Sequence, residues 1–292
     1  MSFNTGGKVY VRFPKTGLGN MLLVWANALV FAEINGLELI TGSWWGIRPG
    51  AFLRRERKKR IYHYYFKETG LNKKMQVRLL LLTRKIERNP VVEKIAPGKS
   101  SLNNIYLFDK AITHENLFAN LLPYRAFITK QLYSLLTEQR MKELASSPIP
   151  EMAVHIRRGD FKTTNQITAL SFFINAINAC RELTGEQIGV TVFSDAAPEE
   201  LQSVLSLPLV SLSPVKADVL DILLMSKSKI IVLSQSSTFS YWAAFLSEAK
   251  VIMKHDDWQD RIKPAAGMYE EIKWNDTVPE AEGKLEKVLK QH

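Results

Sequence analysis

The sequence predicts a two-domain α/β protein, each half a parallel sheet with helices on its faces, and three observations lead there. Short apolar runs alternate with helical patterns from residue 152 onward. A β-α-β pattern opens the chain between Lys8 and Ile40. Ser146-Ser-Pro-Ile-Pro150 separates the two stretches as a linker. The length of 292 residues suits two domains of about 150 each. The expected division is 1–147 and 148–292.

Lys8–Phe13 alternates as a strand does, and Pro14–Gly19 reads as a loop. Asn20–Asn35 is an apolar helical stretch that stops at Gly36, a C-cap residue. Leu37–Ile40 reads as the next strand. In the middle, Arg54–Arg60 is a basic run, Lys73–Arg88 reads as a cationic amphipathic helix, and Arg125–Leu144 as one further helix. The second half gives strands at 152–156, 188–193, 207–212, 229–233 and 251–253. Its helices fall at 170–183, 199–205, 219–226, 239–248 and 280–291.

Composition narrows the class. The chain is 46% hydrophobic with ordinary glycine and proline content, which supports packed cores. A single cysteine, Cys180, rules out an intramolecular disulfide and fits a reducing compartment. No charged start precedes an apolar leader, and runs such as Leu79–Leu82 are too short to span a bilayer. A cytoplasmic protein is expected. The net charge of +10 is uneven: residues 1–147 hold 24 Lys/Arg against 10 Asp/Glu, whereas residues 148–292 hold 15 against 19. Such asymmetry fits one half meeting an anionic partner, or simply a solvated basic surface.

In open α/β sheets, ligands sit beyond the carboxyl ends of the strands, so the chemistry is sought there. After 152–156 comes His155-Ile-Arg-Arg-Gly-Asp160. Alternation puts His155 and Arg157 on one face. An arginine fork matches phosphate oxygens, so Arg157 is read as a diphosphate ligand and Arg158 as a prop for the loop. A surface ion pair among Arg157, Arg158 and Asp160 is the plainer alternative. After 229–233 comes Ser234-Gln-Ser-Ser-Thr-Phe-Ser240, opening a helix. A hydroxyl-rich helix start binds anions, although one hydroxyl would suffice as a cap. After 188–193, Ser194-Asp195 offers either a carboxylate for a guanine edge or a helix cap. Thr16-Gly-Leu-Gly-Asn20 resembles a phosphate loop, but two glycines are a weak signal. No D-x-D pair or zinc-ligand spacing occurs, and Asp256, Asp257 and Asp260 read as a solvated loop.

Taken together these segments resemble the α-1,2-fucosyltransferases and their α-1,6 and protein O-fucosylating relatives. His155–Asp160 is similar to their H-x-R-R-G-D motif, and Phe193-Ser-Asp195 to their second. Asp221–Ser226 with Ser234–Leu246 is similar to their third, and Thr16–Asn20 to their amino-terminal G-G-L-G-N-Q. Thr16 and Met21 depart from that last motif. The likeness is strongest to the bacterial α-1,2 enzymes. It implies a GT-B-type architecture of two Rossmann-like domains facing a central cleft, with residues 1–147 binding the acceptor and 148–292 the GDP-sugar. It implies GDP-fucose as donor, no metal or other cofactor, and inversion at the anomeric carbon. It further implies Arg157 on the diphosphate, His155 and Asp195 at the nucleotide, and Ser236, Ser237 and Thr238 along the phosphates, with Gly19 and Asn20 facing the donor.

Asp160 is the nearest candidate base, against its plainer role of fixing the arginine loop. Trp44, Trp45 and Tyr62 are candidates for stacking on acceptor sugars, against the commoner role of aromatics as core. The basic half suits an anionic acceptor, such as a lipid-diphosphate-linked glycan at the inner membrane face, with peripheral membrane contact. A nucleic-acid-binding protein would share the basic charge, but no nucleic-acid motif appears, so no nucleic-acid partner is expected.

Overall fold

The computed structural model describes residues 7–44, 62–67, 71–95, 104–111, 117–159, 167–215, 217–275 and 280–290. Two compact units emerge, with the change from first to second between Glu138 and Gln139. Trp45, Asp160 and the basic run 54–60 lie outside the described residues.

The first unit is a four-stranded, all-parallel sheet in the order β2-β1-β4-β3. Its elements in chain order are β1 (Lys8–Val11), α1 (Leu18–Asn35), β2 (Glu38–Thr41), α2 (Leu71–Thr83), β3 (Lys85–Arg88), β4 (Asn104–Phe108) and α3 (Arg125–Leu135). The core of the sheet joins Val9 and Val11 of β1 to Val24, Ala28 and Phe31 of α1 and Tyr106 and Phe108 of β4. Gly36 closes α1 in the left-handed region at φ 60°, its N–H bonding back to the last turn. The eighteen residues of α1 are long and apolar enough to cross a bilayer, which corrects the expectation that no run is. Seventy-two per cent of them are buried within the protein, so core packing accounts for that apolarity.

Three other expectations for this half need correction. The expected helix over 73–88 ends at Thr83, and Lys85–Arg88 pairs with β4 as an edge strand. The expected helix over 125–144 breaks at Leu136, whose ψ of 143° is extended and which bridges to Phe66. β4 was not anticipated; every one of its five residues is buried, so it lacks the alternation that marks a half-exposed strand.

The second unit continues with α4 (Glu138–Ser146), β5 (Met152–Ile156), α5 (Leu170–Thr184) and β6 (Val190–Ser194). A 3₁₀ turn (Pro198–Leu201) leads into the short α6 (Gln202–Leu205). Then follow β7 (Val210–Leu212), α7 (Asp218–Met225), β8 (Ile230–Val232), α8 (Thr238–Leu246), β9 (Lys250–Lys254), β10 (Glu270–Trp274) and α9 (Glu280–Lys290). The six strands are all parallel in the order β10-β9-β8-β5-β6-β7. Counted along this unit that is 6-5-4-1-2-3, the doubly wound order of dinucleotide-binding sheets. One face of β5 and β6 (Met152, Val154, Ile156, Val190, Val192) packs on α5 through Phe172, Phe173, Ala176, Ile177 and Cys180. The edge strand β10, also unanticipated, is masked in the sequence by its charged residues.

Candidate functional site

In a sheet of this order, the first and fourth strands of the unit are neighbours and the chain leaves them in opposite directions. That is where such folds hold ligands. Here the two strands are β5 and β8. The turn after β5 carries Arg157–Gly159, and the turn after β8 carries Ser234–Ser237.

Ser234 joins them. Its buried hydroxyl donates to the His155 carbonyl at 2.8 Å and accepts from the Arg157 N–H at 2.7 Å. Because Val154 and Ile156 face the α5 core, alternation sends His155 to the opposite side. There its ring, 4% exposed, stacks on Phe239 in the first turn of α8 with centroids 5.0 Å apart.

Asp195 organises the arginine turn. One carboxylate oxygen, Oδ1, accepts the N–H of Arg158 at 2.8 Å and of Gly159 at 3.2 Å. The other, Oδ2, pairs with Arg157 Nη1 at 2.7 Å. Neighbouring Ser194 donates to the Ile156 carbonyl at 2.6 Å, so β6 and β5 stay joined to their ends. Residue 159 must be glycine for this contact: a Cβ there would lie 2.4 Å from Asp195 Oδ2. Asp195, expected at a guanine edge or as a helix cap, turns Oδ1 to the two N–H groups of the 157–159 turn and Oδ2 to Arg157. Arg158 is half-buried, and burial pulls its guanidinium below the usual arginine value, with Glu200 and Asp195 opposing. That agrees with its reading as a prop, although its acidic neighbours are Glu200 and Asp195.

The start of α8 is the third part. Ser237 is its N-cap residue, yet makes no side-chain cap bond. Among the described residues the hydroxyls of Ser236, Ser237 and Thr238 make no hydrogen bond, whereas Ser234 and Ser240 bond backbone carbonyls. The hydroxyls therefore are not serving as ordinary caps, and the positive end of the helix keeps its capacity for an anion. Ser236 is held at φ 57°, an uncommon conformation for a residue with a side chain.

Asp257 supports that turn, and sequence reasoning missed it. It is 4% exposed, which corrects its reading as part of a solvated loop. Asp256 and Asp260, in contrast, are exposed. The Asp257 carboxylate accepts from the Ser236 N–H at 3.4 Å, the Gln259 N–H at 3.2 Å and the Tyr241 hydroxyl. Burial pushes its carboxyl above the usual range, while these donors and Lys273 pull it back. Thr168, also missed, accepts the Gln235 N–H at 3.0 Å.

The remaining candidates belong to the first unit. Gly19 is buried in the first turn of α1, and the Asn20 Oδ1 is buried with no hydrogen-bond partner among the described residues. Trp44 and Tyr62 are core rather than platforms for a sugar. Trp44 is 1% exposed and sits between Phe13 and Phe66, each centroid 4.0 Å away; Tyr62 is 2% exposed. Their ring faces are already packed against protein. The structure thus gathers His155, Arg157, Asp195, Ser236, Ser237 and Thr238 along one sheet edge.

Comparison with known proteins places this arrangement. POFUT1 in complex with GDP-fucose superposes with a TM-score of 0.53 at 10% identity, covering 85% of this chain and 96% of that one. POFUT1 in complex with GDP gives 0.53 at 12% identity, with the same coverage. Fucosyltransferase NodZ from Bradyrhizobium gives 0.48 at 14% identity, covering 83% of this chain and 94% of that one. The POFUT1 likeness supports the GT-B-type, two-unit α/β fold. No curated protein matches. The sequence model for glycosyl transferase family 11 matches residues 120–274, which include β5 through β10 and every residue of the sheet-edge site. With that match spanning more than half of its length, the chain belongs to glycosyl transferase family 11.

Proposed function

We propose that the protein transfers L-fucose from GDP-fucose to a glycan hydroxyl with inversion at the anomeric carbon, forming an α-1,2 linkage, without a metal ion. The observation that carries this reading is the hydrogen bond from the Arg157 N–H to Ser234, which ties the arginine turn to the loop that opens the uncapped start of α8 at the sheet's switch point. A guanidinium's planar fork matches diphosphate oxygens, and pairing with Asp195 fixes that of Arg157 in place. POFUT1, which shares the fold, has been solved with GDP-fucose, and this supports the choice of donor.

In this reading the bond between fucose C1 and the β-phosphate oxygen breaks with its electron pair going to GDP. The acceptor oxygen bonds C1 from the opposite face and loses its proton to a base, for which Asp160 is the candidate. Arg157, Ser236, Ser237, Thr238 and the α8 dipole stabilise the charge that grows on the leaving diphosphate. Asp195 fixes Arg157 in place, and His155 stacks between the strand end and α8. Residues 1–147 take the acceptor and 148–292 the donor. The reaction takes place in the cytoplasm.

The test is donor turnover over a panel of sugar nucleotides, with and without EDTA, followed by NMR of the linkage formed. GDP-fucose is expected to be consumed at the same rate with chelator present. Arg157→Ala is expected to lower turnover by about 100-fold or more. Preference for another nucleotide, dependence on a divalent ion, or an active Arg157→Ala would each overturn the reading.

A further inference from the structure

The helix α2 carries apolar side chains on two opposite sides. Val77 is 2% exposed and faces the protein. Met75, Leu79 and Leu82 are 57%, 63% and 84% exposed. At 3.6 residues per turn these three lie within an arc of about 60°, opposite Val77. That differs from the one-sided amphipathic helix expected from sequence: the outer ridge is aliphatic where solvent would call for polar groups. A run of exposed large apolar side chains on one ridge is a signature of an interaction surface.

The charge around the ridge is mostly positive. From Leu71 to Lys94 the sequence holds seven Lys/Arg against two Glu. Arg78 is exposed beside the ridge on α2, and Lys85 and Arg88 are exposed on β3. Arg88 retains 62% of its side-chain exposure even with Asp109 3.9 Å away. Val91, 64% exposed, adds an apolar side chain just after the strand.

We propose that α2 is a membrane-surface element, seating Met75, Leu79 and Leu82 in the headgroup boundary of an anionic bilayer while Arg78 and the excess of positive charge around it meet lipid phosphates. The helix is 13 residues long, about 20 Å at 1.5 Å per residue, enough to lie along the interface rather than cross it. The excess of positive charge disfavours a second copy of this chain as occupant, since like charges would meet. Three flexible aliphatic side chains on a convex ridge suit a fluid acyl boundary, and cationic flanks gain further from anionic headgroups. This assignment does not rest on the identity of the donor sugar.

Flotation of the full chain with vesicles tests it. Vesicles of phosphatidylcholine alone are compared with a roughly 3:1 mixture of phosphatidylcholine and phosphatidylglycerol. The protein is expected to float with the anionic vesicles and to dissociate as salt is raised. Leu79→Ser with Leu82→Ser is expected to lower partitioning by about tenfold, with an unchanged melting temperature because both side chains are exposed. Arg78→Gln with Arg88→Gln should reduce the preference for the anionic mixture. Failure to float with either vesicle would overturn the proposal, as would unchanged binding by the double-serine variant. So would a concentration-dependent dimer in sedimentation that the double-serine variant abolishes without any vesicle binding.

Discussion

Removing the Asp195 carboxylate probes the site most directly. It holds three donors: the N–H groups of Arg158 and Gly159 and the Arg157 guanidinium. The side chains of Asp195 and Arg157 are 9% and 19% exposed, so water replaces the lost partner only in part. Removing one member of a fully buried pair costs about 3–5 kcal/mol. The residual exposure here brings the figure for Asp195→Ala down to about 3 kcal/mol. For a unit of this size each kcal/mol moves the melting point by about 2–4 °C, so a fall of about 6–12 °C is expected. Turnover should fall further than stability implies, by about 100-fold, because a catalytic group displaced by about 1 Å loses that much. Asp195→Asn should lie between: the amide oxygen can still accept the two backbone N–H groups, but its NH₂ faces a guanidinium. Calorimetry with GDP-fucose turnover on the same preparations reads both effects. An Asp195→Ala protein melting within about 1 °C of the parent, with turnover intact, would refute the reasoning.

Other expectations follow from the same geometry. Gly159→Ala should lose activity with little loss of secondary structure, since its Cβ would displace the Asp195 carboxylate; circular dichroism and turnover together check this. Asp257 and Glu271 both have carboxyls raised by burial, so the native state binds protons more tightly than the unfolded chain. Stability should therefore fall as pH rises from their unfolded values, about 3.9 and 4.3, through their raised native values. The stability cost of Asp257→Asn should accordingly be largest at the acid end of that window and shrink toward neutrality; urea titrations in which the cost grows with pH would contradict it. Trp44→Ala should destabilise the first unit by about 3–5 kcal/mol, as for a core aromatic, rather than alter acceptor affinity alone. The Cys180 thiol, pushed up to about 12 by burial, should resist a thiol reagent at neutral pH until urea unfolds the chain.

The second unit was the more legible in sequence, and β5 shows why. Met152–Ile156 was read with its observed bounds because it is a short apolar run set between a proline-rich stretch and a glycine turn. The site motifs were legible for a related reason: Arg157–Gly159 and Ser234–Thr238 are local turns whose residue types follow from their own backbone and chemistry. Asp257 was not, since it shares a loop with Asp256 and Asp260, and only the fold of α8 and β9 decides which carboxylate is buried. Lys85–Arg88 consists of residues that suit a helix as well as a strand, and pairing with β4 decided the outcome. Trp44 and Tyr62 were ambiguous because an aromatic ring serves a core and a sugar platform equally well, and the sequence does not say what lies against its faces.

Cys180 sits on α5, buried against the β5 and β6 face. A chain whose lone sulfhydryl is shielded in this way is a ready background for spectroscopic reporters. A cysteine placed on each unit, at a solvent-facing position, could carry a spin label or fluorophore without first mutating the native one. Distances between such probes, recorded with and without nucleotide, would show directly whether the two halves approach one another during a catalytic cycle.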